Sequence, residues 1–90
     1  MNGVTLHWED HDYTFVLFDI KVDLFTRMFQ ATFFLYLGEE RTNKIYTITR
    51  MGENFDPLMN YNNYSLYYKM LCEDLGLDPS IIPDGLTLII

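Results

Sequence analysis

The stretch that most constrains this chain is residues 13–37, YTFVLFDIKVDLFTRMFQATFFLYL. Its apolar residues recur with period two, the spacing that sends successive side chains to opposite faces of a β-strand. In the first half Thr14, Val16, Phe18, Ile20, Val22 and Leu24 share one face, and Tyr13, Phe15, Leu17, Asp19, Lys21 and Asp23 share the other. In the second half Phe29, Ala31, Phe33, Leu35 and Leu37 alternate with Met28, Gln30, Thr32, Phe34 and Tyr36. Turning the chain at Phe25 and Thr26 sets Val22 against Phe29, Ile20 against Ala31, Phe18 against Phe33 and Val16 against Leu35. The same register sets Lys21 against Gln30 and Asp19 against Thr32. A slip of one residue would mix the faces, so this hairpin register is favoured. Phe-Thr is a poor two-residue turn, and a looser loop over 24–27 is expected. A helical spacing also runs through Leu24, Met28, Ala31 and Leu35, with Gly38 placed to stop it. The density of Phe, Thr and Tyr favours strand.

The flanks extend the pattern. Val4, Leu6 and Trp8 alternate with Thr5 and His7, so residues 1–8 read as a strand. Trp8 is expected opposite Tyr13, Leu6 opposite Phe15 and Val4 opposite Leu17, after a polar break over 9–12. Residues 38–43 read as a charged loop and 44–51, KIYTITRM, as another strand. Asp56 and Pro57 suit the N-cap and first position of a helix over about 57–75. Asn60, Asn62 and Asn63 weaken its first turns, so the regular part is expected near Tyr64. Tyr61, Tyr64, Tyr68, Leu71, Cys72 and Leu75 form an apolar stripe, and Gly76-Leu77 resembles a helix stop. Residues 86–90, LTLII, read as a final strand. The order implies one α+β domain: an antiparallel sheet of four to five strands built on the 13–37 hairpin, with one helix packed on one face. A small curled barrel with one helix is the alternative.

The base of the hairpin raises a packing problem. In this register Tyr13, Phe15, Leu17, Phe34 and Tyr36 share the face opposite Phe18 and Phe33, and Trp8 extends them. Both faces are then apolar at the base, with one helix to cover them. Antiparallel sheets ordinarily leave a polar face to water. Trp8, Tyr13, Phe15, Leu17, Phe34 and Tyr36 are therefore expected to be enclosed by a barrel, by a second copy in a homodimer, or by another protein.

Composition bounds the function. At 90 residues, with 49% hydrophobic and 17% aromatic, the chain is a single small globular domain rather than a disordered one. Its net charge of −7 argues against direct binding to nucleic acid or to an anionic membrane, and favours a basic partner. The single Cys72 allows no internal disulfide and fits a reducing cytoplasm. No signal-peptide pattern opens the sequence, and the longest apolar run, residues 33–37, is far too short to span a membrane.

Candidate chemistry is sparse. His7, Glu9, Asp10, His11 and Asp12 include metal-ligand types but match no standard spacing and read as an acidic turn. Asp19, Lys21 and Asp23 contain a carboxylate pair, yet they read as a solvated strand face. Cys72 sits on the helical stripe, far from a helix N-terminus and followed by acids, so nothing favours its thiolate. No nucleophile elbow, phosphate loop or zinc-protease motif occurs. No catalytic residue, metal or cofactor is expected. In the tyrosine-rich segment Tyr67 points about 100° away from Tyr68 on a helix and is expected to be an exposed anchor. Glu9, Asp10, Asp12, Glu39, Glu40, Glu53 and Asp56 fall in expected loops. Gathered on one side, they would imitate nucleic-acid phosphates toward a basic partner.

The combined expectation is a non-enzymatic acidic protein that binds, and inhibits, a basic or nucleic-acid-handling partner. By analogy of size and charge this is a role that phage anti-defence and anti-CRISPR factors fill. A homo-oligomeric structural or assembly subunit is the second reading. A ligand-binding or enzymatic barrel is the third.

Overall fold

The computed structural model describes residues 3–51 and 63–86. The chain forms an antiparallel meander of β1 (Val4–Trp8), β2 (His11–Asp23), β3 (Met28–Leu37) and β4 (Glu40–Met51), in the spatial order β1-β2-β3-β4. Helix α1 (Tyr64–Leu75) and a short 3-10 helix (Pro79–Ile81) follow. This is an α+β domain with a single α-helix among the described residues, and its sheet is not closed into a barrel. The expected helix start at 57 and the strand over 87–90 lie outside the described residues, and Leu86 is not in a strand.

The tip half of the hairpin has the expected register. Asp23 opposes Met28, Val22 Phe29, Lys21 Gln30, Ile20 Ala31 and Asp19 Thr32. Residues 24–27 form the loop between the strands. The base half differs. A β-bulge between Leu17 and Asp19 leaves Phe18 without a partner, and from there Leu17 opposes Phe33, Phe15 opposes Leu35 and Tyr13 opposes Leu37. One extra residue in one strand exchanges its two faces. The base stays apolar on both faces, but the residues expected on each face of β2 are exchanged. Tyr13, Phe15 and Leu17 join Phe29, Ala31, Phe33, Leu35 and Ile48 in one buried core, while Phe34 and Tyr36 lie on the opposite face, half-buried. The six residues read as one face thus divide, with Trp8 packed against the core beside Tyr13 and Phe15.

The outer face is mostly polar and threonine-rich. Thr5 and Thr14 share a hydroxyl hydrogen bond of 2.9 Å, and Thr32 and Thr47 one of 3.3 Å. Phe18, displaced onto this face by the bulge, stacks on Phe34 with ring centroids 3.9 Å apart. The Arg41 guanidinium lies 3.6 Å from the Phe34 ring centroid. This ladder across three strands covers an aromatic that the core cannot take, with a cation–π contact of the kind worth about 0.5–1 kcal/mol at exposed sites.

The other turns are tighter than expected. Glu9 and Asp10 both have positive φ, 50° and 64°, the pattern of a two-residue hairpin turn matching strand twist. Strand β2 therefore begins at His11, and Leu6 opposes Tyr13 rather than Phe15. The shift is two residues, so the face is unchanged. The expected loop over 38–43 also shrinks, because Gly38 takes φ 61° and Leu37 already opposes Glu40. An irregularity in β4 between Arg41 and Ile45 absorbs the extra residues.

Strong curling brings the two edge strands together over the core. Trp8 on β1 and Tyr46 on β4 meet edge to face at 5.5 Å. Helix α1 fills the rest of this concave side, with Tyr67 on Phe29 (5.7 Å) and Tyr68 on Phe33 (5.3 Å). Tyr67 is 0% exposed, so it is a core residue and not an exposed anchor. The buried arc of the helix runs from Tyr67 through Leu71, Tyr68 and Cys72 to Ser65, roughly 160° at 100° per residue. A curled sheet wraps more of a helix than the narrow stripe a flat one would cover. Asn63 caps the helix by accepting from Leu66 N. Gly76, at φ 77°, closes it with Leu77 N donating to Cys72 O and Gly76 N to Glu73 O, the paired bonds of a Schellman motif.

The Tyr68 hydroxyl locks the two layers together. It donates to Phe15 O at 2.9 Å and accepts from Leu17 N at 3.0 Å. Strand β1 pairs no further along β2 than Phe15, so a helix side chain completes the backbone pairing next to the bulge. Burial pushes the Tyr68 phenol up to about 12.

Candidate functional site

Antiparallel pairing places alternate turns at the same end of a sheet. Because Tyr13 opposes Leu37, the β1–β2 and β3–β4 turns are neighbours, and the 24–27 loop lies at the far end. The sheet therefore brings together Glu9, Asp10, Asp12, Glu39 and Glu40, all exposed. Glu53 and Asp56 lie outside the described residues. Five carboxylates at this end face two cations, Lys44 and Arg41. Lys44 Nζ lies 3.6 Å from Glu9 and donates to the Tyr13 hydroxyl at 3.1 Å. These contacts, the Tyr13 bond foremost, raise the Lys44 pKa. Arg41 is held over Phe34. The end as a whole keeps a negative excess.

Local backbone adds to this. Glu9 adopts a left-handed φ that Gly, Asn or Asp takes more readily. The turn thus carries a charge at a position where backbone preference alone would select another residue.

The remaining candidates separate. His7 Nδ1 and Asp12 Oδ1 meet at 2.7 Å on the outer face. His11, opposite Trp8, turns edge-on to Tyr13 at 5.6 Å. Among the described residues no group of His, Cys, Asp and Glu side chains is placed to hold a metal ion. Asp23 uses its Oδ1 to accept from Phe25 N and Thr26 N, a turn-capping role. Lys21 and Asp23 line a shallow recess with Val22, Met28 and Gln30. Cys72 is buried, and burial with nearby Asp78 and Glu73 pushes its thiol up, away from reactivity. Among the described residues no helix is long and apolar enough to cross a membrane.

Two exposed residues carry a feature that pattern reading passed over. Leu24 is 67% and Phe25 100% exposed at the hairpin tip. The signal was present as Phe-Thr, an unsuitable turn pair, at the place where the register requires a turn.

The fold and its surfaces define a small acidic α+β domain with an antiparallel meander and a helix-filled concave side. Comparison with family models, curated proteins and solved structures finds no match.

Proposed function

We propose that this chain is a non-enzymatic, cytoplasmic binding protein whose acidic sheet end occupies a basic surface of another protein and inhibits it. The observation that carries the reading is the gathering of Glu9, Asp10, Asp12, Glu39 and Glu40 at one end by the meander. Carboxylates spaced along two adjacent turns offer a basic surface what a run of phosphates offers, so a nucleic-acid-handling protein is the partner class they fit. An anti-defence factor acts in this way, and the analogy rests on charge and size alone.

The test is direct. The tagged full chain is used to recover its partner from the native cell, and association is then followed at low and high salt. The expected result is an on-rate that falls steeply with salt, and falls again when Glu39 and Glu40 are both changed to Lys. An on-rate indifferent to salt and to this double reversal would sink the reading.

A further inference from the structure

The hairpin tip carries exposed apolar side chains that charge does not explain, and interpreting them rests on the protein-binding reading above. We propose that the β2–β3 tip is an apolar anchor, which inserts Phe25, with Leu24 beside it, into a hydrophobic pocket of the partner protein.

The fold makes no use of these two side chains. Phe25 is 100% exposed and Leu24 67%. The loop is held by other groups. Asp23 Oδ1 accepts from Phe25 N at 2.9 Å and Thr26 N at 3.4 Å, Thr26 Oγ1 accepts from Met28 N at 3.3 Å, and Arg27 supplies the left-handed φ of 55°. Polar residues at 24 and 25 would serve the turn equally well, and large exposed apolar groups mark contact sites.

The same bonds make the tip suited to burial. Its backbone donors at Phe25, Thr26 and Met28 are satisfied within the loop, so a dry pocket strands none of them. A loop already fixed by three side-chain bonds loses little entropy on binding. Met28 and Met51, paired across β3 and β4 and 36% and 55% exposed, widen the apolar rim with adaptable side chains.

Charge selects the occupant. Asp19, Asp23, Lys21 and Arg27 surround the tip with both signs, and the chain carries −7, so nothing draws the tip to anionic lipid. A second copy is the rival occupant that the cross-link distinguishes, since the recess beside the tip is lined by Val22 and Met28 as well as by Lys21, Asp23 and Gln30. A convex apolar finger matches a concave apolar pocket on a different protein.

The experiment places a benzophenone amino acid at position 25 of the full chain, cross-links in the native cell, and identifies the captured protein. That protein is purified, and its affinity is measured for the wild type, Phe25→Ser, Leu24→Ser and the Glu39→Lys/Glu40→Lys double variant. The expected result is a Kd about 10- to 100-fold weaker for Phe25→Ser, the loss of one buried phenylalanine. A smaller loss is expected for Leu24→Ser, and both should keep the wild-type urea midpoint. An unchanged Kd in Phe25→Ser, while the double variant weakens, overturns the anchor and leaves the acidic-end reading standing. Unchanged affinity in every variant overturns both. Cross-links only between copies of this chain overturn the anchor, as does binding of the wild type to phosphatidylcholine–phosphatidylserine vesicles that Phe25→Ser abolishes.

Discussion

Tyr68→Phe removes one oxygen and tests how the helix is joined to the sheet. That oxygen donates to Phe15 O and accepts from Leu17 N, and both residues are buried, at 0% and 9% exposure. Phenylalanine leaves a buried carbonyl and a buried amide without a partner, each costing about 1–3 kcal/mol. The expected loss is about 2–4 kcal/mol, since some relaxation at the bulge offsets the sum. In a domain of this size that is roughly a 10–25 °C fall in Tm. Urea unfolding at neutral pH should show a lower midpoint at constant slope, because the surface exposed on unfolding is nearly unchanged. A second arm varies pH. The phenol is pushed up to about 12 by burial, from 10.0. A raised pKa in the folded state means that its stabilisation is complete below pH 10 and is lost as pH rises from 10 through 12. A rise of that size corresponds to roughly 3 kcal/mol. The wild type should lose stability across that window, and Tyr68→Phe should lack that part of the slope. A loss below about 0.5 kcal/mol at neutral pH would refute the reasoning, because water would then be filling the slot.

Deletion of Phe18 should keep Leu17 opposite Phe33 and Asp19 opposite Thr32, since it removes only the bulged residue; cross-strand NOEs would show it. The cost should stay near 1 kcal/mol, the worth of the lost ring stack. Ser65→Ala should destabilise by about 1–3 kcal/mol in urea, because the buried hydroxyl donates to Pro83 O and accepts from Leu86 N. Arg41→Ala should cost about 0.5–1 kcal/mol by thermal melting, through the loss of its cover over Phe34.

Much of this fold was legible without coordinates because its signals are local. Alternation from Val4 to Trp8 and along the hairpin marks strands wherever the chain lies. The 24–27 turn follows from matching Lys21 with Gln30 and Asp19 with Thr32. Gly76 stops the helix through a φ that glycine adopts freely, and the weak helix formers Asn60, Asn62 and Asn63 mark its regular part as beginning near Tyr64. The candidate site was legible as residues but not as a place. Glu9, Asp10, Asp12, Glu39 and Glu40 could be named from composition, yet only the meander makes their turns neighbours.

The failures share a cause. The period-two pattern of β2 continues through Phe18 without interruption, because alternating residues are apolar on both faces near the base. Nothing local says that one residue is skipped, so Phe15 and Phe34 were placed together. The bulge is decided by the competition for the core, where Tyr13, Phe15 and Leu17 bury more when they join Phe33 and Leu35. Tyr67 failed in the same way, since its burial depends on how far the sheet curls around α1. The sequence by itself determined the four strands of the meander and the helix that follows them, the tip register, the acidic character and the absence of catalytic motifs, all of which follow from neighbouring residues. Tertiary structure alone decided which face of β2 is inside, which tyrosines are core, and which end of the sheet is acidic. Those depend on volume and curvature, properties of the packed whole that no short stretch encodes.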